Sequence, residues 1–164
     1  GLKIHAFGSP SAHYRLKRLG TASTHDYRNG WQETLAEALA GRPLTAAIDA
    51  VSRENALQLA PLLAANGHLI TIQDRIEQAP LPPFTTSISL HEVALASLHA
   101  YGDDVQWAQL IQAGKALAAD IETGLLNPQV IEIARFCELP EALARLKKGP
   151  NHGNRVVQVI DNRS

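Results

Sequence analysis

Short apolar runs alternate along this chain with longer stretches whose apolar residues recur at helical spacing. Lys3 to Phe7 predicts a strand. Ser9 and Pro10 then suit the N-cap and first position of a helix that continues from Ser11 to Leu19 and stops at Gly20. Leu16 and Leu19, three apart, predict a shared core face. Ser23 to Tyr27 predicts a short polar strand. Trp31 to Ala40 predicts a helix with Trp31, Leu35, Ala38 and Leu39 on one side, broken at Gly41-Arg42-Pro43. Leu44 to Val51 reads as a buried strand. Glu54 to Ala65 reads as a helix with Asn66-Gly67 as its C-cap, and His68 to Ile72 as the next strand.

The second half is less regular. Gln73 to Phe84 holds Pro80, Pro82 and Pro83 and predicts a loop. Thr86 to Leu98 fits either state, because an alternating start runs into an alanine-rich stretch. Asp103 to Ala118 predicts a helix, Leu125 to Cys137 a region holding a strand, Pro140 to Lys148 a helix and Arg155 to Ile160 a final strand. Strands alternating with helices predict an α/β fold with a parallel sheet covered on both faces. The right-handed crossover rule makes that sheet doubly wound.

Composition narrows the function classes. The chain has 164 residues and a net charge of −1. That length suits one domain, or one with an appendage. The near-neutral charge predicts no nucleic-acid partner and no anionic membrane surface. The single cysteine, Cys137, excludes an intrachain disulfide and a cysteine zinc knuckle. Within an apolar strand it would be an inert buried thiol. No apolar run reaches the roughly 18 residues of a membrane span. With no signal peptide visible, the expected compartment is cytoplasmic. There is no methionine, and Gly1 to Phe7 already reads as a strand, so the chain is expected to be a piece of a longer one.

A series of short motifs then appears in order. They are Leu19-Gly20-Thr21, Asp26-Tyr27-Arg28, Ile48-Asp49-Ala50-Val51, Asn66-Gly67-His68-Leu69-Ile70 and Gln112-Ala113-Gly114-Lys115. Leu139-Pro140-Glu141-Ala142 and Gly153-Asn154-Arg155-Val156-Val157 complete it. In order and spacing the series resembles the medium-chain dehydrogenase/reductase superfamily, on its quinone-reductase side. The resemblance covers nearly the whole chain and implies the C-terminal cofactor-binding portion. It implies a Rossmann-like sheet in which Lys3 to Phe7 is the second strand. The family's first strand and Gly-rich turn precede the segment where this chain begins, and so does a catalytic domain. The first strand would sit centrally in the sheet. Its place must therefore be closed, filled by another copy, or filled by residues outside this sequence. Residues 1–120 are expected to be the partial nucleotide-binding domain, and 121–164 a segment returning toward the catalytic domain.

The resemblance implies an NADPH-dependent hydride transfer to a quinone, enone or carbonyl in the parent protein. The chain alone is expected to be inactive and to bind no zinc. NAD-preferring sites carry an acid in the turn after the second strand, for the ribose 2′-hydroxyl. Here the turn is Ala6-Phe7-Gly8-Ser9-Pro10-Ser11, with no acid. A carboxylate would repel a 2′-phosphate, whereas Ser9 and Ser11 can donate to one, with Arg15 and Tyr27 adding to it. Ser9 reads equally as a helix cap, and the two roles are compatible. By the rule that ligands lie at the carboxyl ends of parallel strands, Val51, Ser52, Ile72 and Gln73 would line the nicotinamide. Val93 and Leu95 would offer backbone groups, and each of these residues also reads as ordinary core or loop. Ser52 and Gln73 replace family glycines. Arg155 matches a family lysine near the cofactor. Asp49 reads as structural rather than catalytic, since a buried carboxylate needs partners. His91 and His99 are eight apart with no carboxylate at ligand spacing, which predicts surface or packing roles. In relatives the segment matching Thr86 to Leu95 pairs across a two-fold axis, so a homodimer through that edge is expected. The alternative reading is a non-enzymatic Rossmann-like interaction module that dimerises through the same edge.

Overall fold

The computed structural model describes residues 1–128, 130–148 and 154–159. The chain forms two compact units, Gly1–Leu95 and Ala96–Ser164. The first unit runs β1 (His5–Gly8), α1 (Pro10–Arg18), β2 (Ser23–Asp26), α2 (Trp31–Leu39), β3 (Leu44–Asp49), α3 (Arg53–Leu59), β4 (Leu63–Thr71) and β5 (Ser89–Glu92). The second holds α4 (Leu98–Tyr101), α5 (Asp104–Glu122), β6 (Val130–Arg135), α6 (Leu139–Lys148) and β7 (Asn154–Gln158). Every strand pairing among the described residues is parallel: β1 with β2, β3 with β4, β4 with β5, and β6 with β7. No described helix is long and apolar enough to cross a membrane.

The core of the first unit follows from alternation. Along β4, Leu63, Gly67, Leu69 and Thr71 are buried, and His68 between them is exposed. Ala47 of β3 and Leu69 meet Trp31 and Leu35 of α2, with Ala56 and Leu59 of α3 in the same cluster. Trp31, Leu35, Ala38 and Leu39 thus form one face of α2, the first two buried and the others half-buried. The predicted pairing of Leu16 with Leu19 does not form. Leu16 packs under Gly8, where a Cβ would come within 3.1 Å of its Cδ1. Leu19 is the helix cap, and 70% of its surface is exposed.

The helix predicted from Glu54 to Ala65 is shorter. It ends at Leu59, gives way to a 3₁₀ turn over Ala60–Leu62, and Leu63 already begins β4. Pro61 explains this, since its ring cannot enter a helix interior. Asn66-Gly67 is accordingly not a C-cap. It lies in β4, where the pairing with β3 slips between Leu44 and Ala46. Asn66 takes a left-handed φ of 58° there, and its N–H donates to Thr86 O at 2.8 Å.

Cys137 is not buried in a strand. β6 ends at Arg135, and Cys137 sits exposed in a 3₁₀ turn over Phe136–Glu138. Arg135 clamps that turn, its N–H and guanidinium both donating to Glu138. The last strand ends at Gln158, and the predicted Ile160 lies outside the described residues. α5 opens on a complete capping box, in which Asp103 accepts from Gln106 N and the Gln106 side chain accepts from Asp103 N.

The first unit has a seam. β1 and β2 form one sheet, β3, β4 and β5 another, and no pairing joins β1 to β3. A cavity of about 600 Å³ lies between those two strands, lined by Ile4, Phe7, Leu44, Ala46 and Ile48 among others. The seam lies at the place where the resemblance put a central strand. Ile48 and Ile4 are 68% and 55% exposed beside it.

Candidate cofactor-binding site

Register places the predicted residues at strand ends. Gly8 pairs with Asp26, so the turn after β1 lies beside the turn after β2. That juxtaposes Ser9 and Ser11 with Tyr27 and Arg28. Ser9 is the N-cap of α1 by backbone, its C=O accepting from Ala12 N at 2.8 Å. Its side chain makes no capping bond. The Ser9 hydroxyl instead pairs with that of Ser11 at 2.8 Å. Arg15 is four residues beyond Ser11 and shares its helix face.

Tyr27 is half-exposed, with the Arg28 guanidinium 5.8 Å from its ring centre. Arg28 also holds the Asp26 carboxylate in a two-pronged ion pair, both bonds 3.0 Å. The side-chain hydrogen bond from Arg28 keeps Asp26 below the ordinary carboxylate range. The carboxylate that ends β2 is therefore already charge-paired.

Beneath that edge runs a relay that sequence reasoning did not find. His25 is buried, with Phe7 and Trp31 packed nearby. Thr34 spends its hydroxyl proton on Trp31 O, so it must accept from His25 Nδ1–H, 2.8 Å away. Neutral His25 then accepts at Nε2 from the Ser23 hydroxyl at 2.6 Å, and Ser23 accepts from His5 Nδ1–H at 2.7 Å. Burial, with His5 and His13 nearby, lowers the pKa of His25 below the ordinary imidazole value. No motif spacing signals this chain, because it depends on the β1–β2 register.

The second group lies at the ends of β3, β4 and β5. Asp49 pairs with Thr71, and Thr71 with Glu92. Ile72 N donates to Asp49 O and Val93 N to Thr71 O, both at 2.9 Å. Val51, Ser52, Ile72, Gln73 and Val93 therefore gather just past one sheet edge. Leu95, at the end of the unit, is 69% exposed, Val51 62% and Ile72 49%. These open apolar side chains form an exposed patch at the strand ends.

Asp49 is buried, and its Oδ2 accepts from Val51 N at 3.1 Å and Ser52 N at 3.0 Å. That is the structural role expected of it. Ser52 has a second role the sequence reading missed. It is the N-cap of α3, its hydroxyl accepting from Asn55 N at 3.3 Å. Asp74 Oδ2 takes Arg53 N at 3.2 Å, so two side chains serve that helix start. A serine directly before a helical run was the available signal. Arg155 lies in the second unit on β7, and its Nε donates to Glu132 at 2.7 Å. Glu132 also accepts from Arg145, and the two guanidinium groups, Arg145 first, hold its pKa below the ordinary value.

The family model for zinc-binding dehydrogenases matches residues 19–157. The chain belongs to that family. No curated protein sequence matches it. Among solved structures, the chain is similar to a candidate NADPH:quinone reductase from Bacillus thuringiensis, at 20% identity and a TM-score of 0.72. It covers 96% of this chain and 49% of that one. It is also similar to the CurK enoyl reductase, at 18% identity and a TM-score of 0.69, over 94% of this chain and 46% of that one. A third likeness is to the nucleotide-binding subdomain of the enoylreductase domain of PpsC from Mycobacterium tuberculosis. There the identity is 20% and the TM-score 0.57, over 77% of this chain and 72% of that one. The fold is thus the Rossmann-like α/β fold of these dehydrogenases. The family member described here spans less than half the length of the two full reductase chains. Among its described residues, no three or more histidine, cysteine or acidic side chains cluster as metal ligands.

Proposed function

We propose that this chain is the nucleotide-binding portion of an NADPH-dependent reductase of the family. Its nucleotide would lie along the carboxyl ends of the parallel strands. The observation that carries this reading is the turn after β1. Two hydroxyls, 2.8 Å apart, stand there without a carboxylate, and Asp26, the acid that ends β2, is clamped by Arg28. Freed from each other, the Ser9 and Ser11 hydroxyls can both donate to a 2′-phosphate, with Arg15 and Tyr27 within the same region. The bound dinucleotide supplies the hydride, and the protein supplies binding and orientation. Val51, Ile72 and Val93 would pack against the nicotinamide and exclude water. Ser52 and Gln73 would line the same place, and Val93 and Leu95 would present backbone groups to the carboxamide. The substrate class is a quinone, enone or carbonyl compound, taken by the parent protein as a whole.

The test is a titration with NADP⁺ and with NAD⁺, followed by amide chemical shifts. NADP⁺ is expected to bind at least tenfold more tightly, shifting residues 8–15 and 26–28. Ser9→Ala/Ser11→Ala is expected to erase the preference. Equal affinity for the two nucleotides overturns the reading. The chain by itself is expected to oxidise no NADPH, and measurable turnover would contradict its being a partial enzyme.

A second reading rests on the outer edge of β5, which is unpaired among the described residues, with Leu90 and Val93 43% and 42% exposed beside it. In that reading the segment Thr86 to Leu95 joins two copies about a two-fold axis. Light scattering checks it, since a monomer at high concentration rules it out.

A further inference from the structure

The uncovered face of the β3-β4-β5 sheet brings together two histidines that are 23 residues apart in sequence. His91 of β5 lies opposite Ile70 of β4, and His68 is two residues before Ile70 on the same face. Their rings approach with centres 5.2 Å apart, tilted by 46°, and His68 Nδ1 is 3.0 Å from His91 Nε2. Both side chains are exposed. Two imidazoles at that separation share one proton, one nitrogen donating and the other accepting. We propose that a late divalent transition-metal ion replaces the proton and that His68 and His91 form a two-histidine chelate for Ni²⁺ or Cu²⁺.

Ligand chemistry selects the class of ion, since imidazole nitrogens hold Ni²⁺ and Cu²⁺ more tightly than the earlier divalent first-row ions. With metal–nitrogen bonds of about 2.0–2.1 Å, a tetrahedral ion such as Zn²⁺ holds its ligands roughly 3.3–3.4 Å apart. Neighbouring ligands at right angles on a square-planar or octahedral ion are about 2.8–3.0 Å apart, the geometry preferred by Cu²⁺ and Ni²⁺. The two nitrogens, 3.0 Å apart in their hydrogen bond, are near enough for one ion to reach both once the rings turn. Each ring must turn so that its lone pair aims off the line joining the nitrogens, and exposure leaves both free to do so. Nearby carboxylates do not complete a larger ligand set: Glu92, next to His91, faces Arg75 at 3.6 Å. Water fills the remaining coordination positions. Bound, the ion ties the edge strand β5 to β4 across two side chains.

The probe is Ni²⁺, titrated into the chain carrying no histidine tag. Wild type is expected to take one equivalent, with paramagnetic broadening centred on the amides of residues 68–70 and 89–91. His68→Ala and His91→Ala are each expected to weaken binding at least tenfold, and the double variant to bind weakest of all. His99→Ala, whose ring packs on Trp107 in the other unit, is expected to bind like wild type. Broadening centred elsewhere, or wild-type affinity in either single variant, overturns the proposal. Because the broadening is read on the unaltered chain, the test stands even if a variant folds poorly.

Discussion

Replacing Asp49 isolates what a buried carboxylate does at the end of β3. Its Oδ2 is the acceptor for two backbone N–H groups, of Val51 and Ser52, in the tight turn into α3. A hydrogen bond to a charged group contributes about 1.5–3 kcal/mol, and an orphaned buried donor costs about 1–3 kcal/mol. Val51 is 62% exposed, so water can reach its amide, and only one of the two losses should be felt in full. Asp49→Ala is therefore expected to destabilise the fold by about 2–3 kcal/mol. Asp49→Asn keeps an acceptor oxygen but gives up the charge assistance, which about halves each bond, so its cost should be near 1 kcal/mol. Urea unfolding at neutral pH with the slope held constant reads both values. Asp49→Ala within about 0.5 kcal/mol of wild type would refute the turn-locking role, since that is the range of an indifferent surface change. Equal costs for the two variants would show that charge, not acceptor geometry, matters at this position.

Leu69, fully buried in β4, should cost about 2–5 kcal/mol when cut to alanine, measured by the same unfolding assay. Gly67→Ala should cost roughly 1–3 kcal/mol, because the new Cβ would meet the backbone oxygen of Ala64 at 2.9 Å. The His25 relay predicts a pH effect of definite sign. The folded pKa lies below the ordinary 6.5, so the unfolded chain binds the proton first. The stability this residue contributes is complete above about pH 6.5 and is lost as pH falls from there toward the folded value. Urea midpoints between pH 8 and 5 for wild type and His25→Gln should converge at the acid end, and parallel curves would contradict the relay. Cys137, exposed on its 3₁₀ turn, should react with a thiol reagent in the native chain as fast as after unfolding; strong native protection would refute its placement.

Much of the first unit was legible in the sequence. Apolar spacing and the Gly20 and Gly41-Arg42-Pro43 breakers fixed α1 and α2, and the parallel fold followed from the alternation. The second half of β4 is legible as the strand from His68, but its start is not, because Leu57 to Ala65 is rich in helix formers and Pro61 outweighs them. Cys137 was misplaced because alternation through Phe136 looked like a longer strand, whereas the Arg135–Glu138 clamp turns the chain. At the candidate site, strand ends could be named from the rule that ligands sit at carboxyl edges. The Ser23–His25–Thr34 relay and the His68–His91 pair could not. Both arise from which strand lies beside which, and at what register, and neither leaves a mark on local spacing.

The seam between β1 and β3 also sets how the first unit should breathe. Along that line main-chain amides face solvent or the apolar cavity rather than a ladder partner, and α2 links the two sides through Trp31 and Leu35. Deuterium should enter β1 and the trough-side amides of β3 far sooner than β4, which is laced on both flanks. The unit would then behave as two plates on one hinge, and whatever extended segment zips them together would set their rigidity at a stroke.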